Sequence, residues 1–254
     1  MHRRPFFRAL TALGAALAAA ASAQAAQALP PGSSVDIQMS LCAAPAQVEK
    51  SLKLRPRGAP FEVWLFDNPA LHLFGKGVRA RVRDAKGHPE LTLKLAEQDC
   101  AAWHAGVLPP GEGKCEYDVH GDKVAGALSL TRDLEPAAMQ ALTAGRQGLA
   151  QWLSPAQVRV LQGTAGAWPL PADLRPLGPT RVQAYAAKGR PYAVDISVLP
   201  GGEHFIEISR KVPAADAPKA RARLEADLAQ AGVPACADQS AQAANKLRAL
   251  LARP

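Results

Sequence analysis

An α+β fold, a largely antiparallel sheet with helices packed outside it, is what this 254-residue sequence predicts. Three observations carry that expectation. Strand-like segments fall in two blocks, each followed by a helical stretch, so the order is strands, helices, strands, helices. Within the strand blocks polar and apolar residues alternate with period two, the repeat of a pleated strand. Turn-forming breaks such as Asp67-Asn68-Pro69, Lys86-Gly87 and the PPGEGK segment separate successive strands.

Taken in order, residues 35 to 41 (VDIQMSL) alternate as a strand, and Pro45 then opens a short helix carrying Val48 and Leu52. FEVWLF (61 to 66), GVRARVR (77 to 83), LTLKL (91 to 95) and CEYDVHG (115 to 121) follow as strands. The middle, LEPAAMQALTAGRQGLAQWL and then AQVRVLQ after Ser154-Pro155, is helical and ends in proline-rich WPLPADLRPLGP. TRVQAYAAK, YAVDISVL and EHFIEISRKV form the second strand block, with Pro200-Gly201-Gly202 turning between the last two. Two closing helices are expected in DAPKARARLEADLAQAG, with Asp216 to cap and Gly232 to terminate, and in DQSAQAANKLRALLARP.

The first residues set the compartment. Arg3, Arg4 and Arg8 precede an alanine-rich apolar run and an A-x-A site at Ala23-Gln24-Ala25, the pattern of a cleaved secretory signal over residues 1–25. The run is too weakly apolar for the ~20-residue span of a membrane anchor. Residues 26–254 are then read as a single domain, periplasmic or secreted, with no membrane as partner after cleavage. The formal charge of +8 falls by those three arginines to +5, too modest for a nucleic-acid tail, so no nucleic acid is expected. Four cysteines in an exported chain point to disulfides, and no C-x-x-C spacing argues for zinc or redox catalysis. Three connectivities exist. Cys100 with Cys115 would close a short loop between successive strands, leaving Cys42, just after the first strand, for Cys236.

One hairpin concentrates the charge. Arg79, Arg81 and Arg83 share one strand face and Val78, Ala80 and Val82 the other; in the partner strand Thr92 and Lys94 oppose Leu91, Leu93 and Leu95. Other strands carry one polar and one apolar face too: Glu116, Asp118 and His120; Arg181 and Gln183; Asp195 and Ser197. A barrel with a wet, charged lumen requires this pattern, and a single-sided sheet facing solvent has it as well. The pattern leaves both arrangements open.

The segment FEVWLFDNPALHLFGKGVRARVRDAKGHPELTLKL resembles the YFDTP, LRxR and TLK series of the CYTH family, also called triphosphate tunnel metalloenzymes. The likeness continues through KCEYDVHG, the central helices, LRPLGPTR and the final strand and helices. It implies an eight-stranded antiparallel barrel whose lumen binds triphosphate, with basic residues on the phosphates and carboxylates holding one or two divalent metals, Mg²⁺ or Mn²⁺. Arg81 and Arg83 match the RxR pair, Lys94 the TLK lysine and Arg181 an arginine of the later strand; with Arg79 these are the expected ligand-binding residues. Glu116 and Asp118 match the acidic pair of the middle strand, and Glu207 is what remains of a late E-x-E-x-E, so these three are the expected metal ligands. The first strand departs from the family's E-x-E-x-K, having Asp36, Gln38 and Ser40; Phe205 and Ser209 flank Glu207; and the lysine expected just after Ser240 is Ala241.

Phosphoryl transfer to water depends on metal and cations placed around the transferring group, and one or two carboxylates can hold Mg²⁺ when phosphate oxygens complete its shell. With the first strand's glutamates replaced, the implied function is binding of a phosphate-rich or other polyanionic small molecule or polymer without efficient catalysis. Two alternatives stand beside it. One is a metal-dependent triphosphate or polyphosphate phosphohydrolase; the other is a structural or partner-binding domain in which Arg81, Arg83, Lys94 and Arg181 pair internally with Asp36, Glu116, Asp118 and Glu207. The histidines form no metal motif, no G-x-S-x-G or P-loop occurs, and Trp64, Trp103, Trp152 and Trp168 read as packing residues.

Overall fold

The structure, a computed structural model, describes residues 29, 33–85, 87–100, 103, 113–120 and 123–253. The expected signal segment lies outside the described residues. The strands are β1 (Ser34–Leu41), β2 (Leu54–Pro56), β3 (Phe61–Asp67), β4 (Val78–Ala85), β5 (His88–Leu95), β6 (Lys114–His120), β7 (Lys123–Asp133), β8 (Arg175–Ala187), β9 (Ala193–Val198) and β10 (His204–Pro213). The helices are α1 (Pro45–Ser51), α2 (His72–Gly75), α3 (Pro136–Thr143), α4 (Pro155–Gln162), α5 (Ala217–Ala231) and α6 (Gln242–Leu251).

Pairing runs β8-β3-β4-β5-β7-β6-β1-β10-β9, and β9 returns to β8, so nine strands close a barrel with β2 attached to β8 outside the ring. The expected count was eight, all antiparallel. The ninth strand is β7, whose Ala125, Gly126 and Ala127 give it little of the β-branched and aromatic character by which strands are recognised. Gly126 is required there: a Cβ would lie 1.9 Å from the carbonyl oxygen of Gln98, whose N–H donates to the Gly126 carbonyl. β1 and β6 pair in parallel, Asp36 opposite Asp118. Such a pair needs no hairpin, because the chain makes β2 to β5 between the two strands.

Helices cover the barrel on two sides. Val78, Ala80, Val82, Leu91, Leu93, Leu95, Leu128 and Leu130 turn outward from β4, β5 and β7 into a core with Leu142 of α3 and Val160 and Leu161 of α4. Val35, Ile37, Val194, Ile196, Ile206 and Ile208 form a second core under Ala220, Leu224 and Leu228 of α5. Each such leucine or isoleucine contributes about 1.5–3 kcal/mol by leaving water. Local signals fix the helix ends: Ser154 and Gln157 form a capping box on α4, and the buried Gln157 amide also donates to the Leu91 and Leu130 carbonyls, stitching helix to barrel. Gly232 ends α5 with φ 65°, as expected, whereas Asp216 stands at its start without a capping bond from its side chain. Both expected disulfides form: Cys42–Cys236 with Cα atoms 4.8 Å apart and Cys100–Cys115 at 5.4 Å. No described helix is long and apolar enough to cross a membrane.

Candidate functional site

With the apolar faces of β4 and β5 outward, period two sends Arg79, Arg81, Arg83, Thr92 and Lys94 inward. They line a cavity of about 840 Å³ together with Gln38 and Ser40 of β1, Asp195 and Ser197 of β9, Phe205 and Glu207 of β10, and Lys246 of α6. That volume is in the range of small-molecule pockets. Phe61, Val63 and Leu65 of β3 and Val182 of β8 make its apolar wall. Leu247 and Leu250 of α6 pack with Leu177 and Leu199 at one end of the barrel. Toward the other end of β10 a second cavity, about 370 Å³, is lined by Asp36, Arg57, Arg190, Ser209, Arg210 and Lys211.

The expected cations differ in how they are held. Arg83 pairs with Glu90 at 2.6 Å and lies over the Phe61 ring at 5.8 Å, leaving its buried Nε without a partner. Lys94 donates to Asp118 at 2.6 Å. Among the described residues, Arg79 and Arg81 form no ion pair and no side-chain hydrogen bond. Burial, and then the neighbouring Arg83 charge, hold the Arg81 pKa below its ordinary value. Arg181 is not brought to the cavity: Val182 takes the inward position on β8, so Arg181 is exposed on the outer face, opposite Glu62 and Val198.

The carboxylates do not gather as expected for a metal site. Glu116 pairs with Lys114 at 2.9 Å and with Lys211; burial alone would raise its pKa, but these two lysines hold it below the usual range. Asp118 is taken by Lys94. Glu207 sits opposite Ser40, while Asp118 sits opposite Asp36 four residues along β1; at the rise of a strand that is ~13 Å. Ligands of one Mg²⁺ lie about 2.1 Å from it, so Glu116, Asp118 and Glu207 cannot share an ion in this arrangement. No three His, Cys, Asp or Glu among the described residues come together as a metal centre. The three expected ligands therefore do not form one Mg²⁺ or Mn²⁺ site in this arrangement.

Two charged groups outside the expected set complete the lumen. Asp195 stands directly opposite Glu207 across β9 and β10. Burial raises the pKa of both, and for Glu207 the Asp195 charge raises it further; both line the cavity, where their carboxylates are solvent-accessible. Lys246 enters from α6, five residues beyond the Ala241 that replaces the expected lysine. Burial pushes its pKa down to about 8, against the pull of Glu207 and Asp195. Its signal in the sequence is a lysine at the position that joins Ala243, Leu247 and Leu250 on one helix face.

Two solved structures share this architecture. One is a candidate adenylyl cyclase, HpAC1 from Hippeastrum, reported to have a dominant triphosphatase activity; it matches with a TM-score of 0.54 and 16% identity over 84% of this chain and 95% of its own. The other, a candidate adenylate cyclase from Bacillus halodurans, matches with a TM-score of 0.51 and 13% identity over 83% of this chain and 97% of its own. The fold is CYTH-like. No protein-family model and no curated protein sequence matches the chain. At these identities the likeness is one of fold, and what the CYTH-like barrel does rests on its own residues.

Proposed function

We propose that this protein is an exported CYTH-like tunnel that binds a phosphate-rich or other polyanionic ligand through its basic lumen wall, without efficient catalysis. The observation that supports this most directly is the pair Arg79 and Arg81: adjacent on one wall of the cavity, Arg79 exposed and Arg81 half-buried, and without an ion partner among the described residues. A structural salt network would pair the half-buried Arg81, because desolvated unpaired charge is costly. That network is only partly made, by Lys94 with Asp118 and Arg83 with Glu90. The planar guanidinium matches phosphate oxygens two at a time. Two disulfides are in keeping with export into an oxidising compartment. Nucleoside triphosphates are scarce there, which favours a polyphosphate, a phosphorylated glycan or a similar polyanion.

The test is thermal denaturation of the mature protein with tripolyphosphate, polyphosphate and nucleotide. Binding stabilises by about 2.7 kcal/mol at one hundred times Kd; absence of any shift with all three returns the protein to a structural role. The fold likeness to HpAC1 favours a second reading, metal-dependent triphosphate hydrolysis. Brisk phosphate release with Mg²⁺ or Mn²⁺, lost on Glu207→Gln, would establish it in place of binding alone.

A further inference from the structure

Asp195 and Glu207 are paired across two strands, face the same lumen, and accept no hydrogen bond from a side chain among the described residues. Two carboxylates facing one cavity favour a cation between or beside them. The lumen offers one. Lys246 lines the same cavity from α6 and, among the described residues, forms no ion pair; Glu207 and Asp195 are the charges that favour its protonated form and Arg81 and Arg79 those that oppose it. The remaining inward carboxylates on β6 are already held by Lys94, Lys114 and Lys211. A divalent ion entering beside Asp195 and Glu207 would meet the Lys246 ammonium and two guanidiniums.

We propose that Lys246 is the built-in cation of the Asp195–Glu207 pair, so that the barrel holds its anionic ligand without a divalent metal. The ammonium balances the carboxylates on one side of the lumen and leaves Arg79 and Arg81 free for the ligand on the other. The part concerning the ligand rests on the reading of the cavity as an anion site; the part concerning metal does not.

Mn²⁺ titrated into the mature protein without phosphate, with free ion read by electron paramagnetic resonance, separates the two. Wild-type protein is expected to show no site tighter than millimolar. Lys246→Gln is expected to acquire one, about tenfold tighter or more, lost again in Lys246→Gln with Glu207→Gln, while Lys246→Arg behaves as wild type. A wild-type Mn²⁺ site removed by Glu207→Gln overturns the inference, and so does a Lys246→Gln protein that melts cooperatively yet gains no site. Should that variant fail to fold, Lys246→Met is titrated in its place, with the same outcomes. Tripolyphosphate affinity in EDTA and in Mg²⁺ is measured in parallel and expected to agree within about threefold; absence of binding in both removes the proposed function while the Mn²⁺ result still decides the role of Lys246.

Discussion

Strands β4 and β8 both set arginine beside valine, yet they turn opposite faces to the lumen. In β4 the valines and Ala80 point out and the arginines in; in β8 Val182 points in and Arg181 out. The difference lies in what covers each strand. Helices α3 and α4 lie over the outer face of β4 and its neighbours and offer it an apolar core. Around Arg181 the outer face is open, and its register partner Val198 is 39% exposed. A strand under helices buries its apolar face outward and gives its polar face to the tunnel. A strand without such cover does the reverse, and contributes apolar wall instead of charge. The tunnel's basic side thus follows helix placement in these two strands, since the same alternation yields a basic lumen wall in one and a solvated surface in the other.

The contrast can be broken most severely from the covered side. Leu93→Ala empties a fully buried site beneath the helices, and a loss of about 2–5 kcal/mol is expected in denaturant unfolding; a change under about 0.5 kcal/mol would mean that the outer face of this wall is not a core. Next in size, Arg79→Ala with Arg81→Ala is expected to abolish the ~2.7 kcal/mol ligand-induced stabilisation at one hundred times Kd, read by thermal shift with tripolyphosphate. Affinity should also fall as pH rises. Lys246, with a pKa of about 8, is cationic below that value; above it the Asp195 and Glu207 charges lose their counter-charge and repel a polyanion. Calorimetry between pH 7 and 9 should show a decline centred at or above pH 8 that is absent in Lys246→Met. The same depressed pKa gives the free protein a rise in stability between about pH 8 and the ordinary 10.5, because there the unfolded chain binds the proton that the folded one has released. The smallest effect belongs to the uncovered strand: Arg181→Ala should leave affinity unchanged and stability within about 0.5 kcal/mol. A loss of binding there would show that β8 presents its other face.

Period-two alternation made the β4–β5 hairpin and both its faces legible in the sequence, and the cysteine spacing anticipated both disulfides. β7 was illegible because its strand signal is diluted by small residues needed for close approach to the Gln98 carbonyl. Arg181 was assigned inward by resemblance to an arginine of the family's later strand, and alternation could not correct it because it reports that two faces differ and is silent on which one a helix will cover. For Glu116, Asp118 and Glu207 the residue types suggested a shared ion, but proximity depends on register across β6, β1 and β10, and no single strand encodes it. Lys246 escaped because a lysine within a helix normally belongs to the solvent side; only the end of a barrel gives such a helix a polar interior to face.

The Cys42–Cys236 bond has a consequence beyond joining two segments. It links residues 194 apart in sequence, just past β1 at one end and just before α6 at the other, so most of the polypeptide becomes a covalent loop. In the chain-entropy picture, closing a loop of this length contributes about 5 kcal/mol. A protease cutting once anywhere between those cysteines therefore opens the loop without releasing a fragment, and the cut strand remains tethered at both sides within a closed ladder of hydrogen bonds. Such a nicked barrel can reassemble as one molecule rather than as two separate fragments.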